Sequence, residues 1–471
     1  MKLTRRELVV GAGASALAAT GIYELVDRFT DAPARPPARP FPPEQHVLEG
    51  VRLVEDDGVE VLVPPLHHLV LTTRLTVPDE RRALRDAQAR LEDALLELER
   101  EHEPTPAGLG VTVGWGLPYF RRYVPKLAQR HLPVDRRASR SGRRPVRALT
   151  DAIRFPSDPD DVVLESNDVA ILLRSDVLDH VQVAAAVLHN ELRDVWRTTS
   201  IRKGFAGGGF DGGQGLPKRM AIAAGVSGAE LIPDGAELFL GFTSTQKAGL
   251  GPPRIANFET LGLVDLRPDG YFAQGTHMQV SHIFEDLEAW YLNFDFQARL
   301  DTVFRPGLDA PPGTKTVRQG RDDVASAESV ERQFARTRAI GHSSAIQATS
   351  RLTADVVAAD GTVYPKGTAI PQRADFNTLD NPFFWSPEQE RDGVADEPAA
   401  GVHFVVFNPS SDDFRRNRLA MDGVLPGRPR LPLAPRGRGQ GINSVLKTTH
   451  RQNFLVPPRR HRSFPLVELL L

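Results

Sequence analysis

The chain has 471 residues, a net charge of −2, and 41% hydrophobic against 25% charged residues, ordinary values for a soluble globular protein of about two domains. A charge so near zero argues against a general nucleic-acid binder, which needs a basic excess. Cysteine is absent, so disulfides, thiolate metal sites, cysteine nucleophiles and a lipid-modified N-terminal cysteine are excluded, leaving histidine, carboxylates and backbone to hold any cofactor.

The N-terminus reads as an export signal. Thr4-Arg5-Arg6-Glu7-Leu8-Val9-Val10 fits the twin-arginine pattern, and a weakly apolar Gly/Ala-rich stretch follows to Ile22. That stretch is less apolar than a spanning helix, and its small-residue cleavage patterns cut it short. Residues 1–27 are therefore a signal that could also be retained as a membrane tether. Pro33, Pro36, Pro37, Pro40, Pro42 and Pro43 make residues 28–46 an extended spacer, with the folded part beginning near Val47.

From there strands alternate with helices. His67–Val77 reads as a strand, and a helix opening at Pro78 carries Leu84, Ala87, Leu91, Ala94, Leu95 and Leu98 on one face. Leu109–Gly116 is a second strand and Asp168–Arg174 a third, leading into a helix over Leu178–Trp196. Glu237–Phe242 is read as the closing strand. Beyond a boundary near Thr245 the theme recurs. A strand within Gly270–Phe284 precedes a helix over Glu285–Leu300, and the strand Val402–Phe407 precedes a charged helix over Asp412–Met421. The pattern predicts an α+β protein of two ferredoxin-like domains, residues 47–245 and 246–471, each an antiparallel sheet with helices on one face. The stretch from Leu425 to Gly441, rich in Pro, Arg and Gly, reads as a surface insertion.

The order of segments resembles the dye-decolourising peroxidase family over most of the folded chain. The resemblance rests on Gly110-Val111-Thr112-Val113-Gly114-Trp115-Gly116, on the loop Gly208-Gly209-Phe210-Asp211-Gly212, on Gly235–Phe242, and on Asp269-Gly270-Tyr271 leading to Glu285–Trp290. It implies one haem b per chain, bound by the C-terminal domain. It implies Asp211 as the distal acid–base group and Arg373 beside it, with Gly208, Gly209, Phe210, Gly212, Arg373 and Phe376 lining the cofactor. His342 is implied as the iron ligand, in competition with His277, His282, His403 and His450. Two departures from the family pattern stand out: Ser343 and Ser344 follow the histidine, and the glycine loop is unusually rich.

The implied activity is that of an exported haem peroxidase, periplasmic, at the cell surface or extracellular. It would reduce hydrogen peroxide and oxidise a bulky or phenolic donor. Its further partners would be the twin-arginine export machinery and a second copy of the chain. The alternative is a haem- or iron-handling protein, or a haem-free binding protein, on the same scaffold. A haem inserted before export would explain a route that carries folded proteins.

Overall fold

A computed structural model describes residues 22–30, 41–56, 59–140, 145–208, 215–242, 264–265, 270–315, 324–357, 361, 363–379 and 398–470. The twin-arginine segment and the predicted boundary at Thr245 lie outside the described residues.

In chain order, helix α1 (Glu24–Phe29) precedes a first unit of β1 (His67–Leu75), α2 (Arg81–Glu101), β2 (Gly110–Gly116), β3 (Val169–Ser175), α3 (Leu178–Glu191) and β4 (Trp196–Phe205). Helix α4 (Leu216–Ala224) bridges to a second unit. This comprises β5 (Thr276–Glu285), α5 (Leu287–Asn293), α6 (Phe296–Val303), α7 (Ala327–Thr337), α8 (His342–Ser350), β6 (Gln372–Arg373), β7 (Phe376–Thr378), β8 (Gly401–Asn408), α9 (Ser411–Ala420) and β9 (Leu446–Val456). The first sheet runs β4-β1-β3-β2 and the second β7-β8-β5-β9, all antiparallel. Each is the strand order of a ferredoxin-like βαββαβ unit, so the protein is α+β with two such units.

The sheets join along both edges. Trp115 and Gly116 of β2 pair with Leu455 and Phe454 of β9, and Phe205 of β4 pairs with Asn377 of β7. The strands thereby close into a ring with no open edge between the units. Alternate side chains point inward, where Val70, Leu172, Met278, Val280, Val405, Phe407 and Phe454 form a core shared by both sheets. The opposite face of the first sheet packs on the apolar stripes of α2 and α3, where the buried residues of α2 recur at helical spacing.

Three sequence expectations change. Glu237–Phe242 is a tight turn instead of a strand, with the Gly241 amide bonded to the Leu238 carbonyl and Gly241 at φ +88°. Its apolar residues serve two different clusters, Phe239 under α4 and Leu240 with Phe242 under α5 and α6, so no single strand face could hold them. The fourth strand is instead β4, whose charged residues disguise it. The helix expected over Glu285–Leu300 is broken in two, because Asp286 and Asp295 each cap a separate start by accepting from the Ala289 and Ala298 amides. Packing also begins before Val47: Tyr23, Val26, Gln45 and His46 are all buried.

Candidate active site

The side chains singled out by sequence fall on both faces of the second sheet. Along β6 and β7, Arg373 lies opposite Val406 of β8 and Phe376 opposite His403. Ala374 and Phe376 belong to the shared interior core, which puts Arg373 on the outer face, toward the helices.

His342 is the first residue of α8 on that outer side. Gly341 precedes it where a Cβ would stand 2.3 Å from the Phe304 carbonyl oxygen, so only glycine lets the chain pass there. The Ser344 amide donates to the same carbonyl at 3.0 Å, fixing the start of the helix. The ring is partly exposed, but its Nδ1 is buried and has no hydrogen-bond partner. Burial, then the charges of Arg373 and Arg418, push its pKa down to about 4. The imidazole is therefore neutral across the physiological range, the form that can ligate a metal.

Arginines surround it. Arg373 Nε lies 3.8 Å from Asp375 Oδ1, two residues on and on the same face. Arg351 follows α8, and its pKa falls to about 10, through burial first and the Arg373 charge second. Arg418 of α9 is held by Asp422 at 2.9 Å, Ser157 at 2.6 Å and Asp158 at 3.3 Å. A neutral imidazole thus stands in the field of Arg373 and Arg418, chemistry suited to an anion-bearing cofactor. His342 and Arg373 thus come together. Asp375, a partner that the sequence offers Arg373, joins them.

The glycine loop enters from the first unit, directly after β4. Its neck is formed by Gly208, at φ +63°, bridged to Gly215. A Cβ on Gly207 would stand 1.7 Å from the Glu237 carbonyl oxygen and one on Gly215 1.9 Å from that of Ala236. The neck needs glycine for close approach to that turn. The tip, with Gly209, Phe210, Asp211 and Gly212, lies outside the described residues.

Phe376 does not share this face. It is sealed in the interior between two histidines, stacked on His68 at 5.0 Å and 15° and 5.1 Å from His403. His282 stands opposite both His403 and His450 in register, and the rings of His282 and His450 share the Thr449 hydroxyl. A wholly buried Arg202 completes this interior, paired at 2.6 Å to both carboxylate oxygens of Glu165. Sequence reasoning named His282, His403 and His450 only as rival iron ligands and missed that they group in the interior; the signal was histidine on the inward register of strands from both units. Among the described residues, no three His, Asp or Glu side chains gather to hold a metal ion directly. None of the described helices is long and apolar enough to cross a membrane.

The chain is similar in fold to solved DyP-type peroxidases. The structure of one from Cellulomonas bogoriensis is 17% identical, with a TM-score of 0.48 over 89% of this chain and 96% of that one. The encapsulated enzyme of Mycobacterium smegmatis is 14% identical, with a TM-score of 0.48 over 85% and 95%. A DypB variant from Rhodococcus jostii RHA1 in complex with heme is 13% identical, with a TM-score of 0.49 over 86% and 96%. No curated protein matches the chain by sequence. The model of one protein family, described as a family of unknown function (DUF7405), matches residues 65–458, and the chain belongs to that family.

Proposed function

We propose that the protein is an exported haem peroxidase, reducing hydrogen peroxide at the expense of a bulky or phenolic donor, with one haem b per chain. The observation that carries this reading is the convergence of His342 and Arg373 on the outer face of the second sheet. The imidazole there is neutral, as an iron ligand requires, and its buried Nδ1 is unpartnered. The Arg351 cation suits a propionate of a haem. When bound, the haem supplies the electrons that peroxide takes and the donor returns.

The chain's own residues would manage protons and charge. Asp211, at the tip of the loop whose neck is Gly208 and Gly215, would hold the proton leaving one peroxide oxygen and return it to the other. Arg373 would stabilise negative charge as the O–O bond breaks, and losing such a donor typically costs about 10²–10³ in rate. Asp375, between β6 and β7, would keep the guanidinium aimed. Export rests on Arg5 and Arg6, and folding before export would allow the cofactor to be inserted first.

The test is the visible spectrum of the purified chain before and after haem addition, followed by peroxide turnover. The expected result is a Soret band whose axial ligation changes in His342→Ala, and turnover at least 100-fold slower in Asp211→Asn and Arg373→Leu, as for a lost oxyanion donor. No band after reconstitution would leave a haem-free binding protein. A band with turnover unaffected by either substitution would leave a haem-handling protein.

A further inference from the structure

A cavity of about 470 Å³, with His342 not among its lining residues, opens between the end of β5, helix α5 and the segment from Arg436 to Lys447. It is within the size range of small-molecule sites. Its lining combines the apolar Phe284, Phe294 and Val445 with the cations of Arg436, Arg438 and Lys447. The one carboxylate on the lining, Asp286, is already committed to capping α5 through the Ala289 amide. Lys447 is paired to Asp161 at 3.0 Å. Among the described residues, neither Arg436 nor Arg438 makes an ion pair.

The Arg438 guanidinium and the Arg436 backbone are held in place. Arg438 lies over the Phe294 ring, 4.9 Å from its centre, and donates to the Asn293 carbonyl. Arg436 sits in the left-handed region at φ +57°, a conformation costly for a residue with a Cβ. Its amide donates to Gln440 Oε1, and Gln440 Nε2 donates to Asp422 Oδ1 at 2.6 Å. Asp422 in turn accepts from Arg418 at 2.9 Å, so a buried chain of polar contacts maintains the strained turn.

From the charge surplus, the aromatic lining and the strained arginine, we infer that this cavity binds an aromatic carboxylate. The ring packs on Phe284, and the carboxylate is met by Arg436 and Arg438, whose planar forks match its two oxygens. The inference goes beyond the peroxidase reading and stands without haem.

Calorimetric titration of the purified full chain with 1-naphthoate tests it, with 1-naphthalenemethanol as the uncharged comparison. The expected result is saturable binding of the acid, at least tenfold weaker in Arg436→Glu and Arg438→Glu, weaker at high salt, and at least tenfold weaker for the alcohol. Both arginines are exposed, so unchanged melting temperatures will show that the variants fold; Arg436→Gln should weaken binding less than Arg436→Glu. Absence of binding up to millimolar naphthoate, equal affinity of acid and alcohol, or indifference to both charge reversals would each overturn the inference.

Discussion

Glu285 shows how much one side chain can reveal. It ends β5, is 7% exposed, and leaves its Oε2 without a hydrogen-bond partner. Burial pushes its pKa up to about 8, so the folded protein keeps it protonated at neutral pH. The unfolded chain ionises it near 4.5. Its contribution is therefore favourable below pH 4.5 and is lost as pH rises through 8, because only the unfolded state can release the proton cheaply. Glu285→Gln removes that titration. At pH 8 the variant should be more stable by roughly 2 kcal/mol or more, since a tenfold difference in proton affinity between the folded and unfolded states is worth about 1.4 kcal/mol. At pH 4.5 the two proteins should melt together. Urea unfolding at both values checks this, and an equal difference at both would mean the carboxyl is ionised in the fold.

At the scale of elements, α1 is a six-residue helix that could not persist alone and survives by docking. Val26 is fully buried, and the Tyr23 hydroxyl lies 3.3 Å from both Thr378 Oγ1 and the Leu379 amide that donates to it. Asp27 meets His67 Nε2 at 2.7 Å. Truncating residues 1–21 should leave urea stability unchanged, whereas truncating 1–30 should cost about 3–5 kcal/mol, the scale of deleting a large buried side chain. Equal stability of the two would show that α1 contributes nothing. Any signal cleavage compatible with this packing falls before Tyr23. The sequence hid α1 because a proline-rich stretch follows it, and hid β4 because Arg197, Arg202 and Lys203 interrupt its apolar pattern. Arg202 belongs to the interior only because Glu165 neutralises it, a partner from a distant loop that no local pattern reveals. By contrast β1, β3, β5, β8 and α2 were legible, since their periodicity records burial directly. The pairing of His342 with Arg373 was legible only through the order of segments. The inward turn of Phe376 needed the register of β7 on β8.

The whole molecule is a closed ring enclosing ionisable groups, and that sets its response to acid. His68, His282 and His403 have pKa values well below 6.5, burial being the largest cause in each. His277, on the outer face, falls to about 4 for the same reason. Around His403 stand His282, His450 and Arg202, all of which oppose its protonation. All four imidazoles stay neutral in the fold while the unfolded chain protonates them below pH 6.5. The unfolded state thus binds more protons, and stability falls as pH drops from 6.5 toward 4. Each group contributes a slope of at most about 1.4 kcal/mol per pH unit, so four together rival a typical total stability of about 5–15 kcal/mol within two units. The protein should lose its fold above the pH at which its carboxylates titrate. His403→Leu isolates one proton of this effect, because neither ring nitrogen has a hydrogen-bond partner to lose. Its stability at pH 8 should match or exceed that of the parent, and its slope between pH 6 and 4.5 should be smaller by about 1.4 kcal/mol per unit. Urea unfolding across that range measures both quantities. An unchanged slope would mean that His403 takes up its proton inside the folded ring. The histidine file thus sets the lower end of the pH range in which the folded ring persists.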